Sequence, residues 1–237
     1  MNAPVQSTLV QGNESVLATN KVLRNTYMLL SMTLLFSAAM AGVSMAIGVP
    51  FGASLLCSLV ALGLLWFVVP RTAHSINGIY AVFAVTGLLG FGLGPVINAY
   101  VSGLANGGQI VMLALGITGA TFVGLSAFAI RTQKNFSFMG QFLGAGILVA
   151  FVASIALLVA SFFGVHLPMA ALGISAVFAF LMCGMILYQT SEIIHGGETN
   201  YVLATISLYV AIYNLFTACC TCWASPPAMT ETSDRLA

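Results

Sequence analysis

Charged residues are spaced so widely in this chain that four long blocks contain no Lys, Arg, Asp or Glu: 25–70, 72–130, 135–191 and 199–230. They run to 46, 59, 57 and 32 residues. A helix crossing a hydrocarbon core of about 30 Å needs about 20 mostly apolar residues. Each of the first three blocks therefore holds two crossings and a hairpin turn, and the fourth holds one. Within lipid, backbone N–H and C=O groups must find partners inside their own segment, which makes the crossings helices. The expected fold is an all-α integral membrane protein with seven transmembrane helices in one bundle.

Composition excludes the main alternatives. The chain is 60% hydrophobic and 5% charged, with mean hydropathy +1.06. A soluble domain carries about 25% charged residues, and a surface this apolar would aggregate in water. A net charge of +1 supplies no broad basic field, so no nucleic-acid partner is expected.

Turn residues divide the long blocks. Gly48-Val49-Pro50-Phe51-Gly52 splits the first, Ser102 to Gly108 the second, and Phe163-Gly164-Val165-His166-Leu167-Pro168 the third. The predicted helices cover 26–47, 53–69, 76–101, 109–130, 139–162, 168–190 and 201–223. This divides the chain into a mobile N-terminal tail (1–20), a seven-helix domain (21–223) and a short C-terminal tail (224–237). Lys21, Arg24, Arg71, Arg131 and Lys134 fall on one side, with only Arg235 opposite. The positive-inside rule puts that side in the cytoplasm, which leaves the C-terminus periplasmic in a Gram-negative cell. The first apolar run, about 22 residues, exceeds the 7–15 of a cleavable signal and reads as a retained span.

Few residues carry chemistry. Gly87, Gly90 and Gly94 recur at helical spacing in span three, and Gly140 and Gly144 in span five. Close helix contact accounts for both sets. A second reading has Gly92-Leu93-Gly94-Pro95 bend span three and turn carbonyls toward a polar interior. The candidates for that interior are Gln189, Asn98, Tyr209, Tyr213 and Asn214. No span holds an acid or base at mid-depth, where a charge costs about 2.5–3.5 kcal/mol and marks an ion path. Glu192 and His195 have the Glu-x-x-His spacing of carboxylate di-metal bundles, but such sites need the motif twice plus two more acids. They are expected in a solvated cytoplasmic loop with Glu198, available for contacts. Cys219, Cys220 and Cys222 cluster near the outer end of span seven, where packing or lipid contact explains them. No nucleophile–base pair, phosphate loop or metal helix is present, so neither catalysis nor a cofactor is expected.

The most specific text is Tyr188-Gln189-Thr190-Ser191-Glu192-Ile193-Ile194-His195-Gly196-Gly197-Glu198-Thr199-Asn200-Tyr201, followed by Ala204 to Val210 and Tyr213-Asn214-Leu215-Phe216. With Lys21-Val22-Leu23-Arg24-Asn25-Thr26-Tyr27 and Gly94-Pro95-Val96-Ile97-Asn98-Ala99-Tyr100, it closely resembles the Bax inhibitor family, most nearly its bacterial YccA branch. The resemblance covers Lys21 to about Phe216. It implies a seven-helix fold with a cytoplasmic N-terminus in the bacterial inner membrane. It also implies a modulator and substrate of the membrane protease FtsH, with HflK–HflC beside it and membrane lipid around it. The protease would pull on the N-terminal tail, beginning at Met1, Asn2, Ala3 and Pro4.

Another branch of the family forms a pH-sensitive calcium leak, sensed by two aspartates. Their positions correspond here to Gln189 and Ala211. Two carboxylates that share a proton can form a titrating latch; an amide and a methyl group cannot. A calcium or cation leak without that sensor is the alternative the resemblance implies.

Overall fold

The computed structural model describes residues 5–104, 106–165 and 167–224, with side chains from Asn20 onward. The described residues form seven long helices: α1 (Val5–Ile47), α2 (Phe51–Thr72), α3 (Asn77–Gly103), α4 (Gly107–Thr132), α5 (Met139–Phe162), α6 (Pro168–Ile194) and α7 (Tyr201–Ala224). Each has a segment long and apolar enough to cross a membrane, beginning at Asn20 in α1. The expected seven-helix architecture is therefore present. α5 matches its expected bounds, and α1 begins well before residue 26 because no proline interrupts Val5–Ile47.

The turns form where glycine and proline require them. Gly48 (φ 69°) ends α1 in the left-handed conformation that an unbranched backbone adopts at little cost, and Val49 N–H closes onto Ser44 O at 3.3 Å. Within α2, residues Leu64–Val68 widen into a π-turn, with Val69 N–H bonded to Leu64 O. Pro70 explains it: it has no N–H to offer the preceding turn, so the ladder shifts by one residue.

α7 occupies the middle, packed against α1, α3, α4 and α6, while α2 leans chiefly on α3 and α5 chiefly on α6. Buried residues occur on all sides of α7, from Val202 through Tyr209 and Ala211 to Cys220. The main core gathers Leu30, Val82, Val85, Leu89, Ile193, Leu208, Tyr209 and Ile212. A second joins α5, α6 and α7 through Leu143, Leu181, Ile186, Ala211 and Leu215.

Glycines set the closest approaches. A Cβ at Gly90 would fall 2.6 Å from Ser37 Oγ and 2.8 Å from Ser37 Cα, and one at Gly94 would fall 2.6 Å from Ser44 Cβ. Both lie on the seam between α3 and α1, so the close-contact reading of this set holds. Gly92 faces α2 instead, and the Ser54 hydroxyl donates to its carbonyl beside Pro95. A carbonyl near the proline thus finds a neighbouring helix rather than an open interior. In span five the expected pair is only half engaged. Gly140 lies against the Tyr188 ring, whereas Gly144 faces open space and Gly146 receives Leu181. The contact face of α5 follows 140, 143, 146 and 150, and position 144 falls off it.

Candidate functional site

Two polar clusters stand out, one inside the bundle and one at its cation-bearing end. The inner cluster centres on Tyr209, which is 1% exposed. Its hydroxyl lies 2.6 Å from Ser37 Oγ on α1 and donates to the Thr86 carbonyl on α3 at 3.2 Å. One phenol thereby links three helices at a buried position, where an unpaired hydroxyl would be costly. Tyr213 stacks beside it with centroids 6.3 Å apart and 26° between the planes.

The other predicted interior residues do not join this cluster. Asn214 is half-buried, and its amide donates to Val210 O in its own helix at 2.8 Å. Gln189 is half-buried on α6, and Ala211 is buried in the second core. Asn98 is exposed, which corrects its placement in the interior. The seam between α1 and α3 pairs Ser37 with Gly90 and Ser44 with Gly94, so Asn98 stands one turn further on, where α1 ends at Ile47. Nothing from α1 is left to cover it.

At the other end, the loops after α2, α4 and α6 are tied into one unit. Glu192 sits in the last turn of α6 rather than in a loop, because the helix continues until Gly196 (φ 75°) turns the chain. The Ser137 hydroxyl, just before α5, donates to Glu192 Oε1. Gly197 leaves room for that carboxylate: a Cβ there would lie 3.0 Å from Glu192 Cδ. Ser191 Oγ accepts from Phe136 N–H at 3.0 Å and donates to Lys134 O at 3.2 Å. His195 caps α6, with Nδ1 2.9 Å from Ser191 O and Nε2 3.1 Å from Gln133 O.

Asn200 completes the unit. Its Oδ1 accepts from Val202 N–H at 2.9 Å, capping α7, and its amide donates to Ala73 O after α2 at 2.9 Å. His74 Nδ1 lies 3.4 Å from the same amide, and Glu198 Oε1 accepts from Asn200 N–H at 2.9 Å. Glu192, His195 and Glu198 thus belong to one hydrogen-bonded face. Ser137, Ser191, Asn200 and His74 also belong to it; Ser191 and Asn200 lie within the Tyr188–Tyr201 text, but none of the four has a role assigned from sequence. Of these, only Asn200 carried a readable signal, an asparagine just before an apolar run.

The cysteines of α7 remain free thiols, with Cys220 buried and Cys219 and Cys222 half-buried. The candidate protease handle, Met1, Asn2, Ala3 and Pro4, lies outside the described residues.

The pattern of the family described as "Inhibitor of apoptosis-promoting Bax1" matches residues 19–224, from just before the first span to the end of α7. An Escherichia coli K12 protein named "Modulator of FtsH protease YccA" is 47% identical over 202 residues, covering 85% of this chain and 89% of its own. The protein of a second Escherichia coli strain, with the same identity and coverage, is named "Inner membrane protein YccA". A Vibrio cholerae membrane protein is 46% identical over 218 residues, covering 92% of this chain and 95% of its own. The seven helices, the knit loop face that carries the Tyr188–Tyr201 text and these matches agree: the chain belongs to the Bax inhibitor family.

Proposed function

We propose that this chain is a regulatory protein of the bacterial inner membrane that binds and restrains the FtsH protease. The likeness to the Escherichia coli modulator of that protease, over 85% of the chain, carries the reading. In it the cation-bearing face and the N-terminus lie in the cytoplasm, the C-terminus lies in the periplasm, and the chain acts without catalysis. The tail from Met1 to Pro4 is the segment the protease would grip, which makes the protein a substrate as well as a brake. The loop face built on Glu192, His195 and Asn200 would meet FtsH or its HflK–HflC companions.

The cation-leak alternative finds little support in the geometry. Tyr209 is engaged with Ser37 and Thr86, Asn214 bonds within its own helix and Asn98 is exposed. With Gln189 and Ala211 in the two sensor positions, no carboxylate pair exists there to gate calcium.

The test is decay of the full-length protein and of a form lacking residues 2–18, in cells with and without active FtsH. The truncated form is expected to persist longer only when the protease is active, while both forms co-purify with FtsH in mild detergent. Equal decay would remove the handle; failure of both forms to co-purify would remove the partner.

A further inference from the structure

We propose that a groove between α1 and α4, at the cation-bearing end of the bundle, holds one anionic phospholipid. Arg24 engages its phosphate, and Leu23, Tyr27 and Ile130 meet the first carbons of its acyl chain. The groove is lined by these four residues and Asn20, and its volume is about 260 Å³.

The groove exists because α1 and α4 both pack on α7 but scarcely on each other. Two rings bridge the gap: Tyr27 and Phe122 have centroids 5.9 Å apart and 31° between their planes. Ile130 follows Phe122 by two turns on the same face of α4, about 12 Å further along the axis. The ring pair therefore closes the inner end, and Arg24, one turn before Tyr27, stands at the outer end.

This order of groups is that of a lipid. Arg24 is exposed and has neither an ion pair nor a hydrogen bond among the described residues. A guanidinium presents phosphate with two parallel N–H donors. Lys21 lies one turn before it and Arg131 adjoins Ile130; both are exposed, and no acid lines the groove. Such a setting repels the ammonium of a zwitterionic lipid and favours a headgroup of net negative charge.

The inner end adds a second observation. The Tyr27 hydroxyl is buried without a protein partner, and so is that of Ser126, which stands between Phe122 and Ile130 on α4. Folded proteins seldom leave buried donors unpaired. Ester and phosphate oxygens are acceptors, which is what the protein itself does not supply at this gap. The proposal goes beyond the protease reading and stands without it.

Native mass spectrometry of the full-length protein in detergent, with phosphatidylglycerol or phosphatidylcholine added, tests the site. The first phosphatidylglycerol is expected to bind at least about fivefold more tightly than the first phosphatidylcholine, the factor that one well-placed cation supplies. Arg24→Gln should remove that preference. Ile130→Trp, which fills the groove and keeps every charge, should weaken the first phosphatidylglycerol to a similar degree. Arg71→Gln, which removes a cation of the same face but outside the groove, should change nothing. Equal losses in Arg24→Gln and Arg71→Gln would assign the preference to diffuse charge and overturn the site. Tight binding that survives Ile130→Trp would overturn it too. Glycerol phosphate in excess should leave the lipid bound; displacement would mean that a free phosphate, not a lipid, is the ligand. Binding by a form lacking residues 2–18, with none by the full-length protein, would give the groove to the chain's own N-terminus and end the proposal.

Discussion

Helices α5 and α7 are each 24 residues long, yet they occupy opposite situations. Of the most apolar stretch of α7, 61% is buried, against 11% for α5. The more polar helix is the inner one: α7 carries Thr205, Ser207, Tyr209, Tyr213, Asn214, Thr217 and Thr221, while α5 has only Gln141, Ser154 and Ser161. In water the order would be reversed, because apolar side chains go inside. In lipid a leucine gains nothing by leaving the hydrocarbon, so small and hydrogen-bonding residues decide which helix is central. Polarity marks the inside of this molecule.

That contrast predicts where a single change is most damaging. Gly90→Leu should cost about 3 kcal/mol, because overpacking cannot be relieved where the obstacle is backbone. The added side chain would meet Ser37 Cα and Oγ, opening the seam between α1 and α3 and disturbing the Tyr209 partner together. Thermal unfolding in nanodiscs measures this. A melting temperature unchanged by Gly90→Leu would mean that the seam is not closely packed.

The same contrast explains what the sequence could and could not reveal. Charge-free blocks and Gly/Pro turns located all seven spans, since they reflect the cost of charge in lipid and the backbone needs of a turn. Tyr209 was legible because a phenol at mid-span needs a partner. Its partners were not, because hydroxyls in helices often bond their own preceding turn, as Ser154 does to Ala150 O at 2.9 Å. Sequence does not separate Ser37, which reaches across, from Ser154, which does not. Asn98 was misplaced for a related reason: its face was right, but the end of α1 could be judged only from the register of the seam. The loop face was half legible, since Glu192 and His195 were recognisable as a pair while the loop they hold was distant in sequence.

Tyr209→Phe comes next in size. It keeps the ring and removes the hydroxyl between Ser37 Oγ and Thr86 O. Interhelical hydrogen bonds in membranes contribute about 0.6 kcal/mol on average and up to about 1.7. Tyr209 joins three helices, so a loss near the upper value is expected in the same unfolding assay. A loss below about 0.3 kcal/mol would show that packing of the ring, not its hydroxyl, holds the centre.

The smallest effect should come from Gly144→Leu, although Gly144 shares a small-xxx-small spacing with Gly140. The two differ only in what faces them. A Cβ at Gly140 would meet the Tyr188 ring at 2.8 Å, whereas one at Gly144 meets nothing within 4 Å. A leucine at 144 would extend into lipid beside Leu148, which is already exposed, and surface changes of this kind stay within about 0.5 kcal/mol. A large loss of stability, or loss of a crosslinked species in membranes, would mean that α5 has a further helical neighbour on that face. The outer helix would then be covered in the membrane, and burial within one chain would no longer separate α5 from α7.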